Sequence, residues 1–356
     1  IALLFVFYEL AGIVTNLIAG WIGSRIGLKL LLIIGLGLQC FALVAMANFD
    51  SNWPLLYAVS FVMAVQALSG VAKDLTKMSS KSAVKFVVSE GEHAALFKWV
   101  AILTGSKNTL KGVGFFLGGV LLSSVGYVTA LYSMAMAIVV TIILAFATNN
   151  IGKAEEKIYL SNLLSKIPAI NILSGARFFL FGARDIWFVV GLPLFLAAEA
   201  GWSHTEIGAY MASWIIGYGL VQSIAPKLTR GSPSSASRWM FILVIVTALM
   251  PVALSFNISQ SLIVLFGLVV FGVVFAINSS IHSFLIIAYS DVDKVALNLG
   301  FYYMANAGGR LAGTLISGLT YQLGGIVVCL TVSLVFVLIS WLITLTLPMN
   351  QVLGKA

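Results

Sequence analysis

Charged residues are scarce in this chain. Only 9 % of its 356 residues are Asp, Glu, Lys or Arg, whereas 60 % are hydrophobic. Soluble domains carry about 25 % charged residues, and no loop of this sequence is long enough to hold such a domain. The composition therefore indicates a polytopic membrane protein and excludes an ordinary water-soluble fold.

Cysteine is nearly absent as well, since only Cys40 and Cys329 occur, far apart and inside apolar segments. They predict neither a disulfide framework nor a metal site, and we expect both to act as small buried hydrophobic residues. The sequence also lacks His-Glu-x-x-His and Cys-x-x-Cys spacings, and no phosphate-binding loop follows a strand pattern. We therefore expect no enzyme activity, no metal and no cofactor, and an ATP-driven mechanism would need another subunit.

Acidic residues number 12 against 20 Lys and Arg, which gives a formal net charge of +8. Many of the basic residues lie inside apolar segments, so this excess does not indicate nucleic-acid binding. No signal peptide is visible.

Apolar segments long enough to span a bilayer, roughly 20 residues each, follow one another almost without pause. They predict an all-α membrane protein with eleven helices in this chain. The predicted helices are 1–21, 29–47, 54–79, 95–122, 126–148, 169–197, 206–226, 238–256, 260–288, 294–322 and 325–347.

Basic residues occur in every second connection between these helices, and the connections that alternate with them contain no Lys or Arg. The positive-inside rule makes the basic side cytoplasmic. This orientation puts Ile1 outside, so we expect an odd number of helices, most simply one, before Ile1 and a native count of twelve. The basic connections contain Arg25 and Lys29, Lys81 and Lys85, Lys153 to Lys166, Lys227 to Arg238, and Lys294.

An internal repeat supports a division into two halves. The segment that begins at Ala95 aligns with the segment that begins at Ala296 at a constant offset of 201 residues. The longest polar connection lies between the two copies. Two six-helix halves with parallel repeats describe the major facilitator architecture. We expect an N-terminal half at 1–148, a cytoplasmic linker at 149–168 and a C-terminal half at 169–356.

Two short motifs resemble signatures of the major facilitators. The segment GWIGSRIGLKL resembles their gating-loop motif, matched here by Gly20, Arg25, Gly27 and Lys29. Ser24 stands where the family has Asp, so the charge relay of that Asp is not carried over. Further on, GFFLGGVL resembles the antiporter signature, with Phe115 in place of its proline.

Longer runs resemble one branch of that superfamily, the ArsJ family of organoarsenical efflux permeases. These runs are AGIVTNLIAGWIGSRIGL, QALSGVAKDLTKMSSKSAVK, WVAILTGSKNTLKGVGFFLGG and LFGARDIWFVVGLPLFL. The resemblance implies export of 1-arseno-3-phosphoglycerate through the bacterial cytoplasmic membrane, which confers arsenate resistance. It also implies a functional link to glyceraldehyde-3-phosphate dehydrogenase, which forms that ester when it uses arsenate in place of phosphate.

The buried charges fit an anionic substrate. Apart from the charged residues at segment starts, seven basic and three acidic residues lie inside the apolar segments. Each charge near the bilayer centre costs about 2.5–3.5 kcal/mol to insert. A multivalent anion would relieve the positive excess, because Arg and Lys both pair with phosphate or arsenate oxygens. The predicted substrate-binding residues are Lys73, Lys77, Lys107, Lys111, Arg177, Arg184, Tyr303, Asn306 and Arg310.

The three acidic residues, Glu9, Asp74 and Asp185, are the candidates for proton coupling. Purely structural roles remain open for several polar residues. Lys73, Asp74 and Lys77 can neutralise one another, Arg184 and Asp185 can form a structural pair, and Arg177 can extend to the cytoplasmic face.

His282 is expected to be a hydrogen-bonded polar residue, and Trp214, Tyr218 and Gln222 share one helix face. Two other functions stay open beside organoarsenical export. One is transport of ordinary organophosphates or other organic anions, and the other is a non-transporting membrane scaffold or sensor.

Overall fold

The computed structural model describes residues 2–89, 91–147, 165–256 and 259–348, without the side chains of 2–9, 11, 115 and 119. Within these ranges the regular elements are helices, with no strand among them. A short 3₁₀ turn, Val292–Lys294, precedes the last helix. The α-helices are α1 (Ala2–Ile26), α2 (Leu28–Ala47), α3 (Leu55–Val87), α4 (His93–Val125), α5 (Tyr127–Phe146), α6 (Pro168–Phe188), α7 (Gly191–Ala198), α8 (His204–Leu228), α9 (Pro233–Leu254), α10 (Gln260–Tyr289) and α11 (Val295–Leu345).

All eleven predicted segments are helical in the part of the chain that the structure describes. The segment predicted as 169–197 is interrupted after Phe188 and forms α6 and α7. The last two predicted helices run together as α11, which bends where Gly325 adopts a φ of 62°. Nine of the described helical stretches are long and apolar enough to cross a membrane, counting α6 with α7 as one and α11 as one.

In the predicted topology, the connections that contain Lys and Arg all lie on one side of the bundle, which we call the basic-loop side. Helix ends on this side differ most from the prediction. The third helix was predicted to end at 79, but α3 continues to Val87. Polar residues such as Ser79, Lys81 and Ser82 are buried in this last part of α3, so protein packing there replaces the apolar pattern that marks a membrane span. The predicted linker, 149–168, lies outside the described residues up to 164.

Helices α1–α5 meet helices α6–α11 along two close crossings, where α1 packs on α11 and α4 packs on α8. A Cβ atom on Gly20 would lie 2.6 Å from the carbonyl oxygen of Ala296 and 3.0 Å from the Cα of Gly300. At the second crossing, a Cβ on Gly219 would lie 2.6 Å from the carbonyl oxygen of Gly105. Glycine is required at both crossings because any side chain would overlap backbone atoms.

Two buried apolar clusters show where the two helix groups, α1–α5 and α6–α11, are joined. The first contains residues of both groups, including Leu75 and Phe97 from one and Ile281 and Phe284 from the other. The rings of Phe97 and Phe284 lie 5.1 Å apart near the basic-loop ends of α4 and α10. The second cluster contains residues of α6–α11 alone. The described parts of the two groups therefore pack against each other on the basic-loop side.

Candidate anion site between the helix groups

Asp74 on α3 is the centre of the first charged cluster and is 6 % exposed. Its carboxylate accepts hydrogen bonds from Thr15 Oγ1 at 3.0 Å and from Asn16 Nδ2 at 3.2 Å, both on α1. Lys77, one turn along α3, pairs with it at 2.6 Å and also donates to Asn16 Oδ1 at 2.7 Å. The carboxylate is thus held by two helices and neutralised by a lysine from its own helix.

Lys77 also joins this cluster to α11. Its Nζ lies 4.5 Å from the ring centroid of Tyr303, a distance at which an ammonium group is attracted to the face of an aromatic ring. Lys73 is exposed and lies within electrostatic range of Asp74. Lys73, Asp74 and Lys77 therefore carry a net positive charge as a group.

Asp185 on α6 is the centre of the second charged cluster and is fully buried. Arg184 contacts one carboxylate oxygen through Nε at 2.6 Å and through Nη2 at 2.5 Å. Arg310 on α11 contacts the other oxygen at 3.1 Å. One carboxylate is shared by two guanidinium groups, and the side chain of Arg310 remains 31 % exposed. This cluster also has more positive than negative charge.

Arg177, two turns before Arg184 on α6, is 3 % exposed and does not extend to the surface. It donates to Asn306 Oδ1 at 3.1 Å and to Ser279 Oγ at 3.0 Å. Its guanidinium also lies 3.9 Å from the ring centroid of Phe181. These contacts lock the side chain between α6, α10 and α11, although its partners among the described residues are neutral.

A chain of hydrogen bonds connects Arg177 to the other helix group. Tyr218 on α8 donates to the same Ser279 hydroxyl at 3.0 Å and accepts from Gln222 Nε2 at 2.8 Å. Gln222 in turn accepts from Asn108 on α4. Tyr218 and Gln222, predicted to share a face with Trp214, therefore link the two groups through polar contacts.

Asn108 lies between the two lysines of α4, Lys107 and Lys111. Both lysines are exposed, and neither has an ion pair or hydrogen bond with the described residues. The charge of Lys107 is within electrostatic range of Lys77 and Asp74. The charge of Lys111 is within range of Arg310, Arg184 and Asp185. The two lysines therefore stand beside the two charged clusters, one beside each.

The structure thus places all nine predicted residues in one basic region, seven of them as cations, Asn306 as a partner of Arg177 and Tyr303 through its ring. Sequence reasoning missed Thr15, Asn16, Ser279 and Asn108, which hold the charged side chains in place. It also missed Lys81, which was assigned to a connection because α3 was predicted to end too early. The sequence does contain a signal that places Lys81 on the same helix face, because Lys73, Lys77 and Lys81 follow one another at intervals of four residues.

The expectation for His282 is wrong. This side chain is fully buried, and neither ring nitrogen has a hydrogen-bond partner among the described residues. The cysteine expectation agrees better with the structure, since Cys329 is buried and Cys40 is half-buried. Glu9, the third proton-coupling candidate, and Phe115 of the antiporter-like segment have side chains outside the described residues.

The gating-loop motif lies at the turn between α1 and α2. Gly27 has a φ of 90°, which only glycine adopts at low cost, and it allows α2 to begin directly after α1. Arg25 stacks on the ring of Trp21 at 4.7 Å, and Lys29 donates to the carbonyl oxygen of Phe146 at 2.8 Å. Gly20 forms the close crossing with α11. Gly27 and Gly20 therefore fix how α1 meets α2 and α11, and Lys29 joins α2 to α5.

Comparison with solved structures identifies the fold of this membrane-embedded bundle as that of the major facilitators. The human organic anion transporter MFSD10 (TETRAN) superposes with a TM-score of 0.78 at 16 % identity, over 96 % of this chain and 83 % of that one. A bacterial homologue of the iron transporter ferroportin, in an outward-facing state, gives a TM-score of 0.76 at 14 % identity, over 97 % of this chain and 89 % of the other.

The major facilitator superfamily transporter FucP, in the outward conformation, gives a TM-score of 0.73 at 12 % identity, over 97 % of this chain and 89 % of that one. No family model matches the sequence, and no curated protein sequence matches it either. The chain therefore has the major facilitator fold and is a multi-pass membrane protein. The described helices are joined on the basic-loop side by the first apolar cluster.

Proposed function

We propose that this chain is a secondary transporter that carries an organic anion across the membrane by alternating access. The observation that supports this most directly is the charge balance between the helix groups. Three basic side chains pair with the described carboxylates of Asp74 and Asp185, and three more predicted cations lie within electrostatic range of them. Such an excess is costly in a membrane, and a bound anion would offset it.

The two predicted halves, 1–148 and 169–356, would rock about this basic region. Cations are supplied by both sides, Lys77 and Lys107 by α3 and α4, and Arg177 and Arg310 by α6 and α11. A site shared in this way can be exposed to each membrane face in turn. Asp74 and Asp185 are the proposed proton carriers, because each would lose its basic partner if that partner turned to the substrate.

The proposed substrate is 1-arseno-3-phosphoglycerate, exported from the bacterial cytoplasm. The resemblance of four sequence runs to organoarsenical efflux permeases supports this choice. The ester carries anionic groups and no positive group, as the site requires. Its source would be glyceraldehyde-3-phosphate dehydrogenase acting on arsenate, and its export would confer arsenate resistance.

A second candidate is an ordinary organophosphate or another organic anion. Guanidinium and ammonium groups bind phosphate and arsenate oxygens by the same contacts, so the site chemistry favours neither. A transporter of similar fold, MFSD10, is described as an organic anion transporter. Competition between 3-phosphoglycerate and the arseno ester for uptake into inverted vesicles separates the two candidates.

The test expresses the chain together with the dehydrogenase in arsenate-sensitive cells. We expect resistance with the wild type and loss of resistance with Arg310→Ala or Lys107→Ala, at unchanged protein abundance. Lys98→Ala is the matched control, because Lys98 is an exposed lysine at the start of α4, away from the charged clusters. Resistance that does not depend on the transporter would refute the proposed export.

A further inference from the structure

Lys81 is a buried cation that the proposed function does not use. It is 5 % exposed and lies on α3 one turn beyond Lys77, towards the basic-loop side. Val87, the end of the helix, is six residues away, so Lys81 lies about 9 Å inside that end. A lysine near a helix end usually extends its side chain to water, whereas Lys81 as a whole residue is buried.

No carboxylate among the described residues lies against Lys81. Its Nζ is 5.1 Å from the ring centroid of Tyr303, on which Lys77 also stacks at 4.5 Å. The charges within electrostatic range of Lys81 are those of Lys107, Arg177 and Lys77, all positive. An ammonium group in such surroundings is expensive to bury without a counter-ion.

A second polar group beside Lys81 also lacks a partner. The Tyr303 side chain is 5 % exposed, and its hydroxyl has no hydrogen-bond partner within the described ranges. A buried hydroxyl without a partner costs about 1–3 kcal/mol. An unpaired ammonium group and an unused hydroxyl donor thus come together through the same side chain.

We propose that Lys81 and the Tyr303 hydroxyl form a second oxyanion subsite, on the basic-loop side of the Asp74–Lys77 pair. It binds a phosphate, arsenate or carboxylate group. Arg310 lies seven residues, or about 10 Å, further along α11 than Tyr303. An organic molecule with an oxyanion at each end can therefore contact both Arg310 and Lys81. The binding of such a two-ended molecule rests on the proposed function, whereas the subsite itself does not.

The subsite explains how Lys81 is tolerated beside the first apolar cluster, which joins the two helix groups. A bound oxyanion would neutralise the lysine while the basic-loop side is closed. Separation of the helix groups would expose the lysine and release the anion to water. Occupancy of the subsite is therefore expected to stabilise the closed arrangement.

The experiment uses the purified full chain, with Lys81→Met, Tyr303→Phe, Arg310→Gln and the control Lys85→Met. Lys85 lies one turn beyond Lys81 on the same helix and is half-buried. Calorimetric titration measures the dissociation constant of inorganic phosphate and of 3-phosphoglycerate, and thermal unfolding is followed without anion. Met has nearly the length of Lys and no charge, so Lys81→Met is expected to unfold at the same or a higher temperature than the wild type.

We expect Lys81→Met to weaken 3-phosphoglycerate binding about tenfold or more, and Tyr303→Phe to weaken it by a smaller factor. Lys85→Met should bind as the wild type does. Wild-type stoichiometry should be two phosphate ions, reduced to one by Lys81→Met and to one by Arg310→Gln. Unchanged affinity and stoichiometry in Lys81→Met overturn the subsite, as does a lower unfolding temperature without anion, because that would give Lys81 a structural role.

The different measurements distinguish failure of the subsite from failure of the proposed transport, and binding of an organic substrate from binding of a free ion. If Lys81→Met loses one phosphate while no organic anion is transported by the wild type, the subsite stands and the transport proposal fails. If only Arg310→Gln affects binding, the central site stands and the subsite is wrong. Loss of phosphate with unchanged 3-phosphoglycerate affinity would assign the subsite to free inorganic ions and refute the two-ended substrate.

Discussion

Replacement of Gly105 by alanine should favour separation of α4 from α8. A Cβ atom on Gly105 would lie 2.5 Å from the backbone nitrogen of Ser223 and would also overlap the carbonyl oxygen of Gly219. Both are backbone atoms of a packed helix, so a change of rotamer cannot relieve the overlap. The crossing can accept the methyl group only if the two helices move apart.

Gly114→Ala on the same helix is the matched control, because a Cβ atom there would meet nothing within 4 Å. Alanine gains about 1 kcal/mol of helix propensity over glycine at either position, so this contribution cancels in the comparison. What remains is the overpacking cost at Gly105, about 1–3 kcal/mol. That free energy corresponds to a change of about 5–150-fold in the ratio of open to closed molecules.

The ratio can be measured by the reactivity of a buried cysteine. Cys40 and Cys329 are replaced by alanine, and Val100→Cys supplies the reporter on α4. Val100 is 1 % exposed and belongs to the apolar cluster that joins the helix groups. A maleimide can reach this position only when the basic-loop side opens. We therefore expect Gly105→Ala to accelerate labelling by about 5–150-fold over Gly114→Ala.

Equal labelling rates in the two variants would refute the reasoning, because they would mean that the glycine crossing does not hold the closed arrangement. The reciprocal variant, Gly219→Ala, should behave like Gly105→Ala, since its Cβ atom would lie 2.6 Å from the Gly105 carbonyl oxygen. Fast labelling of Val100→Cys with Gly105 and Gly219 both intact would equally contradict the reasoning, because it would show that the apolar cluster around Val100 opens readily.

Two further predictions concern the charged clusters. Asp185→Asn leaves Arg184 and Arg310 without their shared carboxylate and should lower the free energy of unfolding by up to about 3 kcal/mol, as measured by denaturant titration. Adding Arg310→Gln to this variant should recover part of the loss. If the losses of the two single variants simply add, the shared pair is contradicted. Thr15→Val removes the hydroxyl that donates to Asp74 at 3.0 Å and should cost about 1 kcal/mol. Thr76→Val is its control, because the hydrogen bonds of that hydroxyl within the described ranges go to carbonyl oxygens of its own helix. Equal losses in the two variants would remove the role of Thr15.

Most of the fold could be predicted from the sequence, because membrane helices satisfy their backbone hydrogen bonds within one continuous segment. A run of about 20 apolar residues is therefore informative by itself, and all eleven predicted segments are helical where the structure describes them. The end of α3 was missed for the same reason. From residue 79 onwards the helix is stabilised by contacts with other helices, such as the hydrogen bond from Ser79 Oγ to the carbonyl oxygen of Leu28 at 2.6 Å.

The sequence by itself determined the membrane-spanning helices, their alternating basic connections and the excess of positive charge inside the bundle. These properties follow from composition and from helical spacing, which are local. Only the tertiary structure decided which charges meet. Arg310 pairs with Asp185 although 125 residues separate them, and Asn16 contacts Asp74 and Lys77 from another helix. Lys81, by contrast, meets the ring of Tyr303 and no carboxylate among the described residues, because pairing depends on how the helices cross.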